Sequence, residues 1–221
     1  MTTLQWPGGP DFTPMSGKFR LAPINQYSTS PYTGAGKSIS LDTVWRADLT
    51  WNSRDLESGI DFQGFIEALE GAATPVALFD WWRPFPRALA GDVTGFSDGT
   101  LFDDGTGFED GWSPAIVTAA AKGERRVHMS GLPVSQECFR RGDLFGINGY
   151  LYEVKAAAQS NASGESLVNV LPGLRAGVAT GDAVTLWRPR VTMRLVPNDD
   201  ILNRTFNIHD PFTLAFVEDI P

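Results

Sequence analysis

Residues 96–112, "FSDGTLFDDGTGFEDGW", pass three times over one six-residue unit. Phe96, Phe102 and Phe108 recur, each followed two residues later by Asp98, Asp104 and Asp110 and then by Gly99, Gly105 and Gly111. Regularly spaced carboxylates can hold calcium or serve as an acid–base pair. A helix-loop-helix calcium loop needs side-chain oxygens at positions 1, 3 and 5 and Gly at 6. Counted from Asp98, position 5 is Phe102, and counted from Asp104 it is Phe108, so both loops fail. The nonapeptide of calcium-binding β-helices fails as well, because the period is six. Asp98, Asp104 and Asp110 remain the metal candidates, set against the preferred reading in which each Asp-Gly makes a tight turn and each Phe buries. Asp103, Asp104, Glu109 and Asp110 could supply the two carboxylates of glycoside hydrolysis. With 26 acidic residues in the chain, however, such clusters arise by composition.

Other reaction types find less. The two histidines, His128 and His209, have no G-x-S-x-G elbow to serve and no HExxH or HxH spacing. "GAGKS" at 34–38 ends like a P-loop, but the required Gly five residues before Gly36 is Pro31. Cys138 is the sole cysteine, which excludes an intrachain disulfide and reads as a small buried hydrophobe. No catalytic residue and no cofactor are expected.

Composition bounds the remaining classes. The chain has 221 residues and a net charge of −8, so no general basic field attracts nucleic acid. Seven Trp and 42% hydrophobic residues predict a packed core. "MTTLQWPGGP" lacks a basic start followed by an apolar run, and no stretch approaches membrane-spanning length. A soluble protein made in a cytoplasm is expected.

The elements that would position any site are mostly strands. "TVWRADLTW" (43–51) alternates strictly, with Trp45, Ala47, Leu49 and Trp51 on one face. "KFRLAPI" (18–24) and "KSISL" (37–41) read as companion strands around a loop at 28–36. A helix is predicted over 62–69, where Phe62, Phe65, Ile66 and Leu69 form one stripe, capped by Ser58 with Asp61 and closed by Gly71. "VALFD" (76–80) then leads into "WWRPFP" (81–86). From residue 125, short strands follow at spacings typical of a small barrel or sandwich, and Asn148-Gly149 is a strong hairpin signal. "RVTMRLV" (190–196) and "TLAFVED" (213–219) return to clean alternation and need a sheet to join.

The order "SPYTGAGKSISL…TVWRADLTW…FQGFIEALEG" resembles the opening of distal tail proteins of long-tailed bacteriophages and related gene-transfer particles. "RRGDLFGINGYLYEVKAAAQSNASGESLVNVLPGLRAGVATGDAVTL" is similar to the second module of the same proteins, and the Phe-x-Asp-Gly ladder and the close "FTLAFVED" fit as well. The resemblance implies a tail-tube-like first domain, a six-fold ring, and ring neighbours that are the tail tube and the central hub. The tube-subunit class is closely similar, and no catalytic residue carries over.

The resulting expectation is a mainly β chain. Residues 1–92 and 188–221 would form a discontinuous, tail-tube-like sandwich or barrel with one packed helix. Residues 93–111 would be a turn linker, and residues 112–187 an inserted β-barrel-like module. Its role would be structural, in a homo-hexameric ring at the tail tip, assembled in the bacterial host cytoplasm. Its partners would be itself, tube and hub proteins, and DNA only in transit. Trp45, Trp51, Trp81, Trp82, Arg83 and Phe85 are the interface candidates, since Trp and Arg are favoured anchors, with core packing the equal alternative for Trp81 and Trp82. A tube subunit, an outward-facing carbohydrate- or receptor-binding module and a glycan hydrolase are the other readings.

Overall fold

The computed structural model describes residues 3–8, 12–29, 36–52, 56–89, 112–197 and 212–220. The chain is mainly β and divides into two compact units. The first comprises Met1–Leu78 and Val191–Pro221, and the second is Phe79–Arg190.

The first unit opens with β1 (Leu4–Gln5), β2 (Ser16–Thr29), β3 (Gly36–Trp51), α1 (Leu56–Ala68) and β4 (Val76–Phe79). The second holds β5 (Ala115–Ile116), β6 (Arg126–Ser130), β7 (Glu137–Phe139), β8 (Leu144–Ile147) and β9 (Tyr150–Val154), then β10 (Ala158–Gln159), β11 (Ser166–Leu171) and β12 (Val184–Thr185). The chain returns to the first unit with β13 (Arg190–Leu195) and β14 (Phe212–Glu218).

The first unit is one six-stranded sheet, ordered β1-β4-β13-β14-β3-β2. Alternation decides which face is core. Trp45, Ala47, Leu49 and Trp51 of β3 are buried beside Leu214 and Phe216 of β14 and Val191, Met193 and Leu195 of β13. The stripe of α1, Phe62 and Ile66 with Leu69 just beyond, is also buried. Aromatic rings dominate the unit. Trp6 stacks on Trp51 at 5.5 Å, Trp51 on Phe212 at 5.6 Å, and Phe62 meets Phe212 edge-on at 5.0 Å. An indole N–H sealed among rings needs an acceptor. Both Trp6 and Trp51 donate theirs to the Phe12 carbonyl, at 2.9 and 3.2 Å.

"KSISL" and "TVWRADLTW" are one strand, β3, because Asp42-Thr43 continues the extended backbone instead of turning. β2 and β3 pair antiparallel from Ser16↔Thr50 to Thr29↔Gly36, with a register shift at Ile24/Asn25. The helix already includes Ser58, so the expected cap at that residue is replaced by an earlier start. Gly71 does adopt the left-handed conformation expected after the helix, at φ 68°, and Glu70 shares it at φ 48°.

In the second unit, six strands order as β12-β8-β9-β11-β6-β5. The two end strands then meet, through an Ala115↔Ala183 bridge and hydrogen bonds from Val184 N to Pro114 O (2.8 Å) and Ile116 N to Asp182 O (2.9 Å). The sheet is thereby nearly closed into a barrel, filled by Val127, Met129, Phe139, Phe145, Tyr152 and Val168 among others. β7 and β10 form a separate two-stranded sheet. The Asn148-Gly149 hairpin is present between β8 and β9, both residues at positive φ (52° and 81°), as a two-residue primed turn requires.

Residues 79–89, assigned to the first domain from sequence, lie in the second unit. Leu89 is part of the barrel core and Phe85 packs against it. The 93–111 linker lies outside the described residues.

Gly17 of β2 has no room for a side chain. A Cβ there would stand 2.6 Å from Asp48 O and 2.8 Å from Leu49 Cδ2. Gly17→Ala is expected to lower stability by about 1–3 kcal/mol, as overpacking does, with the loss read as a lower urea midpoint. An unchanged midpoint would mean that β2 does not pack on β3 as described.

Candidate interaction surface

The structure separates the six interface candidates. Trp45 is 0% and Trp51 1% exposed, so both are corrected to core residues, Trp45 against Phe19 of β2 and Trp51 against Phe62 of α1. Arg83 is occupied within the barrel. It pairs with Asp80 Oδ2 at 2.7 Å and Glu153 Oε2 at 3.0 Å, and donates to Gly142 O at 3.0 Å. Phe85 is half-buried against the barrel core. Trp81 is half-buried with its ring 4.5 Å from Phe79, while Trp82 is 48% exposed. Trp82 is therefore the most available of the six.

Charged groups around 80–89 hold this segment to the barrel. Asp80 is buried, accepts from Trp82 N at 2.9 Å and anchors Arg83. Asp143, its side chain 1% exposed, pairs with Arg87 Nε at 2.8 Å and accepts from Arg140 N at 2.7 Å. Arg87 also donates to the Arg141 carbonyl.

Two Gly-Asp corners repeat one construction. At 140–143, Asp143 N donates to Arg140 O at 3.1 Å while the Asp143 carboxylate accepts from Arg140 N; Gly142 sits between them at φ 85°. At 179–182, Asp182 N donates to Ala179 O at 3.2 Å and its carboxylate accepts from Ala179 N at 2.9 Å, with Gly181 at φ 92°. Positive φ at the third turn position is what demands Gly there. Asn148 of the hairpin adds a 2.7 Å bond to Asp182. These two hydrogen bonds, the Ala179 amide first, hold the Asp182 carboxyl below its ordinary range. Hydrogen bonding to Asp219 likewise raises Arg194, whose guanidinium also donates to the Ala72 and Ala73 carbonyls behind α1.

Asp98, Asp104 and Asp110 lie outside the described residues, as does His209. Among the described residues, no group of three or more His, Cys, Asp or Glu is placed to hold a metal ion. His128 Nδ1 stands 3.2 Å from Thr118 Oγ1 and its Nε2 3.7 Å from Glu165 on the outside of the barrel. Cys138 is buried in the barrel core. Among the described residues no helix is long and apolar enough to cross a membrane.

The second notable surface is backbone. β14 pairs with β3 only from Trp51 back to Arg46. At the next residue, the Trp45 amide donates to the Glu218 carboxylate at 2.9 Å, so a side chain substitutes where the ladder stops. From there to Thr29↔Gly36, β2 and β3 have only each other among the described strands, a ribbon of about 30 Å. Among the described residues, no strand lies beside the outer edge of β2. Sequence patterning missed this, because edge status is not written in period-two alternation.

Fold and surface together define a mainly β, two-unit chain with a paired ribbon and an inserted barrel. No protein-family model matches the sequence, and no curated protein does.

Two outcomes are expected for the corners. Asp143→Ala leaves the Arg140 amide and the Arg87 Nε without their acceptor and should cost about 1–3 kcal/mol, measured by urea unfolding. For Asp182, a depressed carboxyl contributes stability above its ordinary value of 3.8 and loses it as pH falls through the lower folded value. The melting-temperature advantage of the wild type over Asp182→Asn should therefore be full at neutral pH and shrink in acid. An advantage that grows in acid would contradict the corner geometry.

Proposed function

We propose that this chain is a structural component of a virion tail. It acts as a distal tail protein, whose subunits close into a hexameric ring joining the tail tube to the tip or hub. The observation that carries the reading is the β2–β3 ribbon. Its outer edge offers a row of backbone donors and acceptors, and an isolated two-stranded ribbon is marginal in water. A neighbouring subunit that adds a strand satisfies both requirements, and closed rotational symmetry repeats the contact without leaving an edge. The resemblance in the opening segments and in the module at 140–186 agrees with that role. The net charge of −8 suits a wall that DNA passes without being retained. The reading assigns no catalytic role, no cofactor and no membrane segment, and places the protein at the tail tip after assembly in the host cytoplasm.

Mass measurement and negative-stain imaging across a concentration series test the proposal. Closed six-fold rings support it, as do monomers that close only with tube and hub proteins. Open-ended tubes would assign the tube-subunit class instead. A monomer that never associates, even with tail components, contradicts the structural role. Replacing residues 25–41 by Asn-Gly joins the paired positions Ile24 and Asp42. That variant is expected to stay folded and monomeric, and ring formation by it would exclude the ribbon from the contact.

A further inference from the structure

Two Trp-Arg-Pro tripeptides, at 82–84 and 187–189, stand near the two ends of the second unit. Backbone ties them together, since Arg188 N donates to Pro84 O at 2.7 Å. Their arginines differ in what they meet. Arg83 is paired on carboxylates and a carbonyl. The exposed Arg188 guanidinium meets no carboxylate among the described residues; it lies 5.2 Å from the Phe79 ring centre and 5.3 Å from that of Trp187. Trp81 extends the row from Phe79 at 4.5 Å, and Phe85 extends it from Trp187 at 6.1 Å. The sequence Trp81–Phe79–Arg188–Trp187–Phe85 is thus one continuous run, its four rings half-buried and its cation central. Arg188 also holds φ 42°, a left-handed conformation that non-glycine residues adopt at a cost.

We infer that this run is a docking surface for an acidic, aromatic-containing segment of a partner protein. A guanidinium held over rings keeps a fork of N–H donors matched to a carboxylate. Aromatic rings beside it supply the apolar contact that, with Arg, characterises protein–protein anchors. In a chain of net charge −8, a cation that meets no carboxylate among the described residues is complementary to an acidic segment. The four flanking rings favour a peptide over a bare anion, and the central cation favours it over a neutral sugar. The surface belongs wholly to the second unit and does not depend on the ribbon's role.

Isothermal titration of the full chain tests this, using the peptide N-acetyl-Phe-Glu-Asp-Phe-Glu-amide and its counterpart with Gln and Asn at the acidic positions. The acidic peptide is expected to bind about tenfold more tightly than the amide one, and added salt should erase the difference. Arg188→Asn, which also tolerates positive φ, should reduce the acidic peptide to the amide level. Arg126→Asn, at an exposed barrel arginine, should leave binding unchanged. If Arg188→Asn fails to fold, the salt dependence and Trp81→Leu carry the test, the latter weakening both peptides. Equal affinity for the two peptides overturns the inference, as does undiminished binding by a folded Arg188→Asn. Inorganic phosphate binding as tightly as the peptide would leave an anion site only. A chitin oligosaccharide binding where the acidic peptide does not would assign a sugar surface instead. Either of these results rejects the proposal.

Discussion

The first unit depends on where the pairing of β3 with β14 ends. Up to Arg46↔Val217 the ladder is backbone on backbone. One residue further, the Glu218 carboxylate accepts the Trp45 amide, and beyond it β3 has only β2 among the described strands. A buried carboxylate is costly unless hydrogen-bonded, so Glu218 is held in place by the amide it satisfies. The aromatic layer of Trp6, Trp51, Phe62 and Phe212 packs on the other side of this boundary and fixes the base from which the ribbon departs. A strand with one neighbour and a free edge is a liability in a monomer and an asset in an assembly.

The second unit manages the same problem by the opposite route. Its end strands meet through Ala115 and Ala183, and a sheet so nearly closed leaves little open edge. What remains for recognition is side chains, and its electrostatics follow from that. Asp80 and Asp143 hold Arg83 and Arg87, fastening residues 80–89 to the barrel, while Arg188 lies on a row of rings and meets no carboxylate among the described residues. The two units therefore present different surfaces, backbone in one and an aromatic–arginine run in the other.

Much of this was legible in the sequence, wherever periodicity and turn chemistry speak locally. The alternation of 43–51, the stripe of α1 and the Asn148-Gly149 hairpin carry their reasons in adjacent residues. Trp45 and Trp51 were misread as interface candidates because a Trp suits either a core or an interface, and only the facing rings decide, Phe19 for Trp45 and Phe62 with Phe212 for Trp51. The domain boundary was misplaced for a similar reason. "VALFD" runs unbroken into "WWRPFP", and the partners that draw 80–89 into the barrel, Asp143 and Glu153, lie some sixty residues away. β1, β5, β7 and β10 are only two or three residues long, too short for any period.

The most direct measurement of the central claim is amide hydrogen exchange along β2, on the dispersed chain and on its assembled form. The outward-facing amides of β2 should exchange freely in the dispersed chain and become protected on assembly, while those bonded to β3 are slow in both. Outward amides that stay unprotected in the assembly, or that are already protected in the dispersed chain, would contradict an edge built to receive a neighbouring subunit.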